Sequence, residues 1–161
     1  METKSVTAFK TIEMPTRTLA YVHNVGPYKD NTELFGKLFN EVIAWLTPRQ
    51  LLLPSAECIT MYHDDPETVP LEQQRISAGF TVPEGTQGEG NIQIMEIPAG
   101  KYLIGSFEIL SSEYEFAWGE VMQQMNESNL IPTGTMYESY KNDPRQHPEG
   151  KHVVDICVAV H

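Results

Sequence analysis

The sequence predicts an α+β fold made of an antiparallel sheet and two helices. Short segments with alternating apolar and polar residues, rich in β-branched and aromatic side chains, are separated by turn residues. Two longer segments carry apolar residues at helical spacing. Because the order strand, strand, helix, strand, strand occurs twice, we expect both helices on one face of the sheet and a pseudo-two-fold axis between two halves.

An internal repeat supports this order. Residues 53–66 (LPSAECITMYHDDP) align with residues 131–144 (IPTGTMYESYKNDP) at an offset of 78 residues, and blocks upstream and downstream align at offsets of 79 and 77. We interpret the whole 161-residue chain as a single domain with two halves, residues 1–85 and 90–161. The glycine-rich segment 83–91 (PEGTQGEGN) is predicted to form a flexible linker between them.

The predicted strands flank the two helical segments. Two of them lie on either side of Pro15, an arrangement typical of a hairpin, and two more lie on either side of Ala99 and Gly100. The remaining strands follow the helices in pairs. The predicted strands are residues 5–14, 17–25, 56–63, 73–82, 91–98, 101–109, 135–140 and 152–160.

Both helices have recognisable start signals. Asp30 followed by Glu33 resembles a capping box before the first helix, which we expect to end before Pro48. Ser112 with Glu115 plays the same part before the second helix. The apolar stripes consist of Leu34, Leu38, Val42, Trp45 and Leu46 in the first helix and of Tyr114, Trp118, Val121, Met122 and Met125 in the second.

The charge balance excludes several function classes. With 11 Lys and Arg against 22 Asp and Glu, the formal net charge is −11, so a phosphate backbone is repelled and direct nucleic-acid binding is not expected. No apolar stretch approaches the roughly 20 residues that cross a bilayer, and no secretory signal follows the first lysines. We expect a soluble cytoplasmic protein, and the sequence leaves its oligomeric state open.

Neither a metal nor a cofactor is predicted. The five histidines form no pair at helical spacing and have no cysteine neighbours. Cys58 and Cys157 lack the spacing of a metal or redox pair and are predicted to be buried thiols. The glycines of the linker precede neither a helix nor a Lys-Ser pair, and no Gly-x-Ser-x-Gly elbow is present.

Glu138 is the candidate that strand alternation singles out. In the strand TMYESY, the side chains of Met136, Glu138 and Tyr140 point to one face, so Glu138 and Tyr140 are neighbours. The equivalent strand of the first half places Thr60 and Tyr62 on the matching face. The repeat is therefore symmetric in fold but asymmetric in chemistry, and the seam between similar halves is where we expect a ligand site.

Three interpretations of Glu138 follow from the residues. It faces solvent or pairs with Lys141, because burying an unpaired carboxylate costs several kcal/mol. It anchors a lipophilic cation in an aromatic pocket through charge and cation–π contact. It acts, when desolvated, as a general acid or base.

Four segments together resemble one family: AYVHNVGPY (20–28), MYHDDP (61–66), AGKYLIGSFE (99–108) and MYESYKNDP (136–144). Their order and spacing are similar to those of GyrI-like domains, the small-molecule-binding domains also found at the C-terminus of AraC-type and MerR-type multidrug regulators. The resemblance implies two strand-helix-strand-strand (SHS2-type) modules and a central aromatic pocket around a glutamate.

The family pattern Glu-x-Tyr-x-Asn-Asp-Pro is matched by Glu138, Tyr140, Asn142, Asp143 and Pro144. A second Gly-Pro-Tyr that the family often carries is replaced here by ILSSEY (109–114), where Tyr114 supplies an aromatic ring instead. Helical apolar stripes usually hold core residues, so Trp118 becomes a pocket residue only through the resemblance. Tyr28 either packs against the helix or contacts ligand. The predicted ligand-binding residues are Glu138, Tyr140, Tyr62, Trp118, Tyr28 and Tyr114.

The leading hypothesis is a stand-alone effector-binding domain that captures a lipophilic, cationic or amphipathic small molecule. With no basic helix-turn-helix segment in the sequence, any role in regulation requires a partner regulator. An alternative that the resemblance implies is a hydrolase that opens cyclopropane rings of genotoxic compounds, with Glu138 as its catalytic residue. A third hypothesis is an interaction protein that modulates DNA gyrase, with an acidic surface that imitates nucleic acid.

Overall fold

The computed structural model describes residues 8–28, 31–64 and 68–161. Within them it contains eight strands, paired antiparallel, and two α-helices, which confirms the α+β class and the predicted element order. The elements are β1 (Ala8–Met14), β2 (Arg17–Val25), α1 (Thr32–Leu46), β3 (Cys58–Tyr62), β4 (Arg75–Val82), β5 (Gln93–Ile97), β6 (Gly100–Ile109), α2 (Tyr114–Glu127), β7 (Pro132–Tyr140) and β8 (His152–Val160).

In the described ranges, neither helix combines the length and the apolar character that a membrane span requires.

The chain divides into two compact units that do not coincide with the halves 1–85 and 90–161. The C-terminal unit combines β1 with Gly100–His161, and the N-terminal unit is Pro15–Ala99. Each unit thus contains four strands and one helix. The C-terminal unit takes its strand β1 from the start of the chain, and β5, which belongs to the predicted half 90–161, lies in the N-terminal unit. The internal repeat itself stays a prediction.

The predicted hairpin around Pro15 is wrong. β1 pairs with β6, from Ala8 opposite Ser106 to Met14 opposite Gly100, whereas β2 pairs with β4 and β5. A two-residue hairpin turn requires positive φ angles, and neither Pro15 nor Thr16 adopts them readily. The link between β1 and β2 therefore joins two different ladders. Residues 5–7 of the predicted strand lie outside the described residues.

The C-terminal unit is a four-stranded antiparallel ladder in the order β1-β6-β8-β7, with α2 packed on one face. Gly105 on β6 makes close packing of α2 feasible, since a Cβ there would lie 2.9 Å from the rings of Phe9 and Phe107 and 3.1 Å from Val121. The buried core between helix and strands contains Leu103, Phe107, Ile109, Ala117, Val121, Met125, Val154, Ile156, Val158 and Val160.

The N-terminal unit has the order β3-β4-β2-β5, and α1 covers one face. Residues that alternate along β2 and β4 meet the apolar stripe of α1, as the predicted amphipathic helix requires. This core contains Ala20, Val22, Tyr28, Leu38, Val42, Leu46, Ile76, Ala78, Val82 and Ile92. Leu34 and Trp45, also predicted for the stripe, are partly buried against it.

The helix ends only partly follow the predicted signals. Helix α1 stops at Leu46, before Pro48, as predicted, and its N-cap is Asn31, whose side chain accepts a hydrogen bond from the backbone N–H of Leu34 at 3.0 Å. The predicted cap Asp30 lies outside the described residues. The Ser112 cap is wrong, because Ser112 lies in a 3-10 turn that precedes α2.

The glycine-rich segment 83–91 carries regular hydrogen bonds. Thr86 donates from its backbone N–H and its hydroxyl to the carbonyl of Pro83, and Glu89 and Ile92 exchange two backbone hydrogen bonds. The Glu89 carboxylate also accepts from Arg49, just beyond α1, at 2.7 Å. These contacts tie the segment to its own unit.

Candidate functional site

Glu138 is buried under helix α2 in the C-terminal unit. On β7, Met136 and Tyr140 pack against the core beneath α2, whereas the intervening Tyr137 contacts Tyr102 on the opposite face, with ring centroids 6.0 Å apart. Alternation therefore directs the Glu138 side chain toward the helix. The residue is only 3% exposed, so the interpretation that Glu138 faces solvent is wrong.

Two neutral side chains donate hydrogen bonds to the two carboxylate oxygens of Glu138. Trp118 Nε1 donates to Oε2 at 2.6 Å, and the Tyr140 hydroxyl donates to Oε1 at 2.6 Å. Such short bonds to an ionised acceptor are about twice as strong as bonds between neutral groups. These two bonds fix the orientation of the Glu138 carboxyl group, and neither donor carries a charge.

The local sequence explains this geometry. Tyr140 lies two residues after Glu138, so both side chains emerge on one face of β7, as predicted. Trp118 reaches the same place from α2, which the packing over Gly105 brings close to the ladder. Lys141, the predicted alternative partner, places its ammonium nitrogen 3.9 Å from Asp155.

Tyr114 lies one helical turn before Trp118 and therefore on the same side of α2. Its hydroxyl is 2.6 Å from His152 Nδ1, and the two rings meet edge to face with centroids 5.4 Å apart. Burial lowers the pKa of His152, which favours the neutral imidazole at pH 7. A neutral ring protonated at Nε2 accepts the Tyr114 O–H at Nδ1.

His152 was not among the predicted site residues. A signal exists in the sequence, because His152 lies two residues before Val154 on β8, and Val154 is the ladder partner of Tyr140. Strand alternation alone puts His152 on the Glu138 face. The contact of His152 with Tyr114 could not be predicted from the sequence, because it depends on how α2 packs on the strands.

Tyr28 and Tyr62 form a separate aromatic pair in the N-terminal unit. Their ring centroids lie 5.6 Å apart, and Tyr28 also contacts Phe35 of α1 at 6.3 Å. The packing interpretation of Tyr28 against the helix is thus confirmed. The C-terminal unit brings together Glu138, Tyr140 and Trp118, with Tyr114 beside them on α2, while a ligand-contacting role for Tyr28 and Tyr62 stays a prediction.

Two clefts open on the N-terminal unit, and Glu138 lines neither. The larger has a volume of about 490 Å³ and a polar lining that includes Arg17, Glu57, Thr81 and Glu96. The smaller, about 240 Å³, contains His23 and His63. We consider Glu138 the stronger candidate for chemistry, because a buried carboxyl group that accepts two short hydrogen bonds is a specific arrangement.

The described residues contain no group of three or more His, Cys, Asp or Glu side chains arranged to hold a metal ion. Both cysteines are thiols, Cys157 buried and Cys58 partly buried. Burial raises the pKa of the Cys58 thiol to about 12, so it stays protonated at pH 7 and is a poor ligand and nucleophile.

The sequence of the chain matches a known protein family. The sequence profile of the family described as GyrI-like small molecule binding domain matches residues 7–161. A DNA gyrase inhibitor of Yersinia enterocolitica is 31% identical over 159 residues, which cover 95% of this chain and 97% of that protein.

Solved structures share the fold at lower identity. The C-terminal domain of EcmrR superposes with a TM-score of 0.75 at 18% identity, covering 98% of both chains. In the complex of EcmrR with DNA, this chain spans 57% of the EcmrR chain, with a TM-score of 0.76 and 19% identity. SAV2435, solved with bound tetraphenylphosphonium, has a TM-score of 0.61 at 10% identity, covering 96% of this chain and 94% of that one.

Proposed function

The chain belongs to the family of GyrI-like small molecule binding domains, and from that premise we propose that it captures a lipophilic organic cation beside Glu138. The observation that carries the proposal is the buried carboxylate, 3% exposed, whose oxygens accept 2.6 Å hydrogen bonds from Trp118 and Tyr140. Both donors are aromatic, so in this proposal the residues that orient the carboxyl group also supply the rings that contact the cation.

The physics favours a cation with delocalised charge. A buried carboxylate attracts a cation strongly because water does not screen it, but a compact ammonium loses much hydration free energy on entering such a site. A large lipophilic cation loses less and gains apolar burial and cation–π contact with Trp118 and Tyr140. The bound tetraphenylphosphonium of SAV2435, a protein of the same fold, supports this class of ligand.

Calorimetric titration with tetraphenylphosphonium tests the proposal. Glu138→Gln keeps the size of the side chain and removes the charge, so we expect affinity to fall at least tenfold, or about 1.4 kcal/mol. Glu115→Gln is the matched control: it removes one exposed carboxylate from the same helix and should change affinity less than twofold. Equal binding by wild type and Glu138→Gln contradicts the charged anchor.

A neutral probe separates charge from shape. Triphenylphosphine oxide has similar aromatic bulk without the charge, so wild type should prefer tetraphenylphosphonium and Glu138→Gln should lose most of that preference. If Glu138 instead acts as an acid or base on cyclopropane-bearing compounds, ring-opened product accumulates with wild type and not with Glu138→Gln. Binding without product supports capture over hydrolysis.

A second candidate function is modulation of DNA gyrase. The observation in its favour is the 31% identity to the Yersinia enterocolitica DNA gyrase inhibitor across nearly the whole of both chains. The net charge of −11 is suited to a basic DNA-binding surface. Because Glu138 is buried, Glu138→Gln should inhibit supercoiling as wild type does, so a supercoiling assay distinguishes this function from cation capture.

A further inference from the structure

The smaller cleft of the N-terminal unit lies on the strand face opposite α1. Along β2, Ala20 and Val22 enter the core beneath α1, so the alternating Tyr21 and His23 point to the other face. Ser77 of β4 is the ladder partner of His23 and emerges beside it. His63, immediately after β3, also lines the cleft. Its backbone N–H donates to the carbonyl of Arg75 at 3.2 Å, which holds it beside β4.

The charge of the lining of this cleft is opposite in sign to the net charge of the chain. Its volume is about 240 Å³, and its polar lining residues are Tyr21, His23, His63, Arg75, Ser77 and Gln93. Among the described residues no carboxylate lines it, although the chain has 22 acidic residues against 11 Lys and Arg. Three lining side chains are cationic or become so on protonation, in a protein whose net charge is −11.

We propose that this cleft binds a small anion through carboxylate or phosphate oxygens, held by His23, His63 and Arg75. The site lies within the N-terminal unit and is independent of the function proposed for Glu138. A volume of about 240 Å³ is below the usual range for drug-sized ligands, which suits a compact anion.

Contacts inside the cleft preorganise it. His63 Nε2 lies 2.7 Å from the hydroxyl of Ser77, which is fully buried, so the imidazole is held by the strand face beneath it. The rings of His23 and His63 are 6.1 Å apart, close enough for both to approach one small ligand. The Tyr21 hydroxyl donates to Gln93 Oε1 at 3.1 Å and fixes the wall at the β5 side.

The charged groups around His63 favour the binding of an anion beside it. Burial is the largest cause that lowers the pKa of His63, followed by repulsion from His23 and from Arg75, while Asp64 acts in the opposite direction. Asp64 itself accepts from Arg75 at 3.0 and 2.8 Å and neutralises part of that charge. An anion between the two imidazoles relieves the remaining repulsion and raises the pKa of His63, so binding should tighten as pH falls.

Nuclear magnetic resonance of the ring protons of the five histidines tests this site in the 161-residue chain. Sodium acetate and inorganic phosphate are titrated separately at pH 6, with sodium chloride at equal ionic strength as the reference. We expect saturable shifts of the His23 and His63 signals, and the tighter of the two probes identifies a carboxylate or a phosphate as the recognised group. With acetate, which keeps its single charge, affinity should fall at least tenfold between pH 6 and pH 8.

Two variants make the test specific. His23→Gln changes an exposed side chain and should fold normally while weakening acetate and phosphate binding several-fold. His161→Gln removes an exposed histidine from the C-terminal unit and should leave binding unchanged. Shifts equal to those in chloride, wild-type affinity for both anions in His23→Gln, or affinity that does not change with pH overturns the proposal. Glu138→Gln should bind both anions as wild type does, which separates this result from the cation experiment.

Discussion

In both units the strand pair beneath the helix has the same register, but the buried side chains at equivalent positions differ chemically. In the C-terminal unit Glu138 pairs with Ile156, and in the N-terminal unit Thr60 pairs with Ala78, each 78 residues earlier. Both Glu138 and Thr60 are buried. The difference lies in the helix above: α2 provides the indole N–H of Trp118, whereas α1 provides apolar rings such as Phe39, which packs edge to face on Phe80.

The position on the strand does not decide whether a carboxylate is tolerated. Burying an ionised group costs several kcal/mol unless hydrogen bonds replace its water. Trp118 and Tyr140 supply such bonds to Glu138 at 2.6 Å each. The asymmetry of the chain is therefore a property of the helices as much as of the strands.

A carboxylate placed at the equivalent position of the N-terminal unit should cause the largest loss of stability. Thr60 is fully buried and is the ladder partner of Ala78 in the core beneath α1, so Thr60→Glu introduces a charge at an apolar core. We expect a loss of about 3 to 5 kcal/mol in the free energy of unfolding, measured by urea denaturation at pH 7. Thr60→Gln carries the same bulk without charge and should lose clearly less.

The gap between these two variants isolates the charge. Acidification protonates the carboxylate that Thr60→Glu introduces, so the two denaturation midpoints should converge as pH falls toward 4. Equal stability of Thr60→Glu and Thr60→Gln at pH 7 contradicts the argument, because it means that the N-terminal unit solvates a carboxylate as well as the C-terminal unit does.

The two helices also differ in the hydrogen bonding of their tryptophans. Trp118→Phe removes the donor to Glu138 Oε2, so we expect a loss of about 1 to 3 kcal/mol. In the described part of the chain, the buried indole nitrogen of Trp45 on α1 has no hydrogen-bond partner, so Trp45→Phe removes no such bond and should cost less. Urea denaturation of both variants checks this, and a larger loss for Trp45→Phe contradicts it.

Strand alternation and helical spacing predicted the parts of the molecule that depend on neighbours in sequence. The bounds of β2 and β8, the end of α1 before Pro48 and the contact of Glu138 with Tyr140 all follow from local pattern. The resemblance added Trp118, whose helical stripe by itself favours a core role. These predictions hold because each rests on residues that are at most a few positions apart.

Long-range pairing was beyond the local pattern. β1 pairs with β6 of the C-terminal unit and β5 pairs with β2 of the N-terminal unit, so each strand pairs across the predicted halves. A hairpin pattern describes only the residues of the turn and does not predict such pairing. The predicted offset of 77 for the last strand also differs from the ladder offset of 78, and a slip of one residue turns every side chain to the other face. The contacts Tyr114–His152 and His63–Ser77 likewise join distant segments.

The smallest expected effect concerns two Asp–Arg pairs, one in each unit. Asp64 accepts from the Arg75 side chain and from its backbone N–H at 2.7 Å, and so joins the end of β3 to the start of β4. Asp143 pairs with Arg145 only two residues away, within a 3-10 turn. A bond between two strands restrains more chain than a bond within one turn, so Asp64→Asn should lower stability more than Asp143→Asn.

The stability that the Asp64–Arg75 pair contributes depends on pH. Hydrogen bonding to Arg75 is the largest cause that lowers the pKa of Asp64 from 3.8 to about 2 in the folded protein. A carboxylate with a depressed folded pKa contributes stability that is fully present above its unfolded value and is lost as pH falls through the folded value. In urea denaturation series, wild type and Asp64→Asn should therefore differ at pH 7, approach each other below pH 3.8 and nearly coincide at about pH 2. A difference between them that persists unchanged to pH 2 contradicts the ionic origin and points to packing of the Asp64 side chain instead.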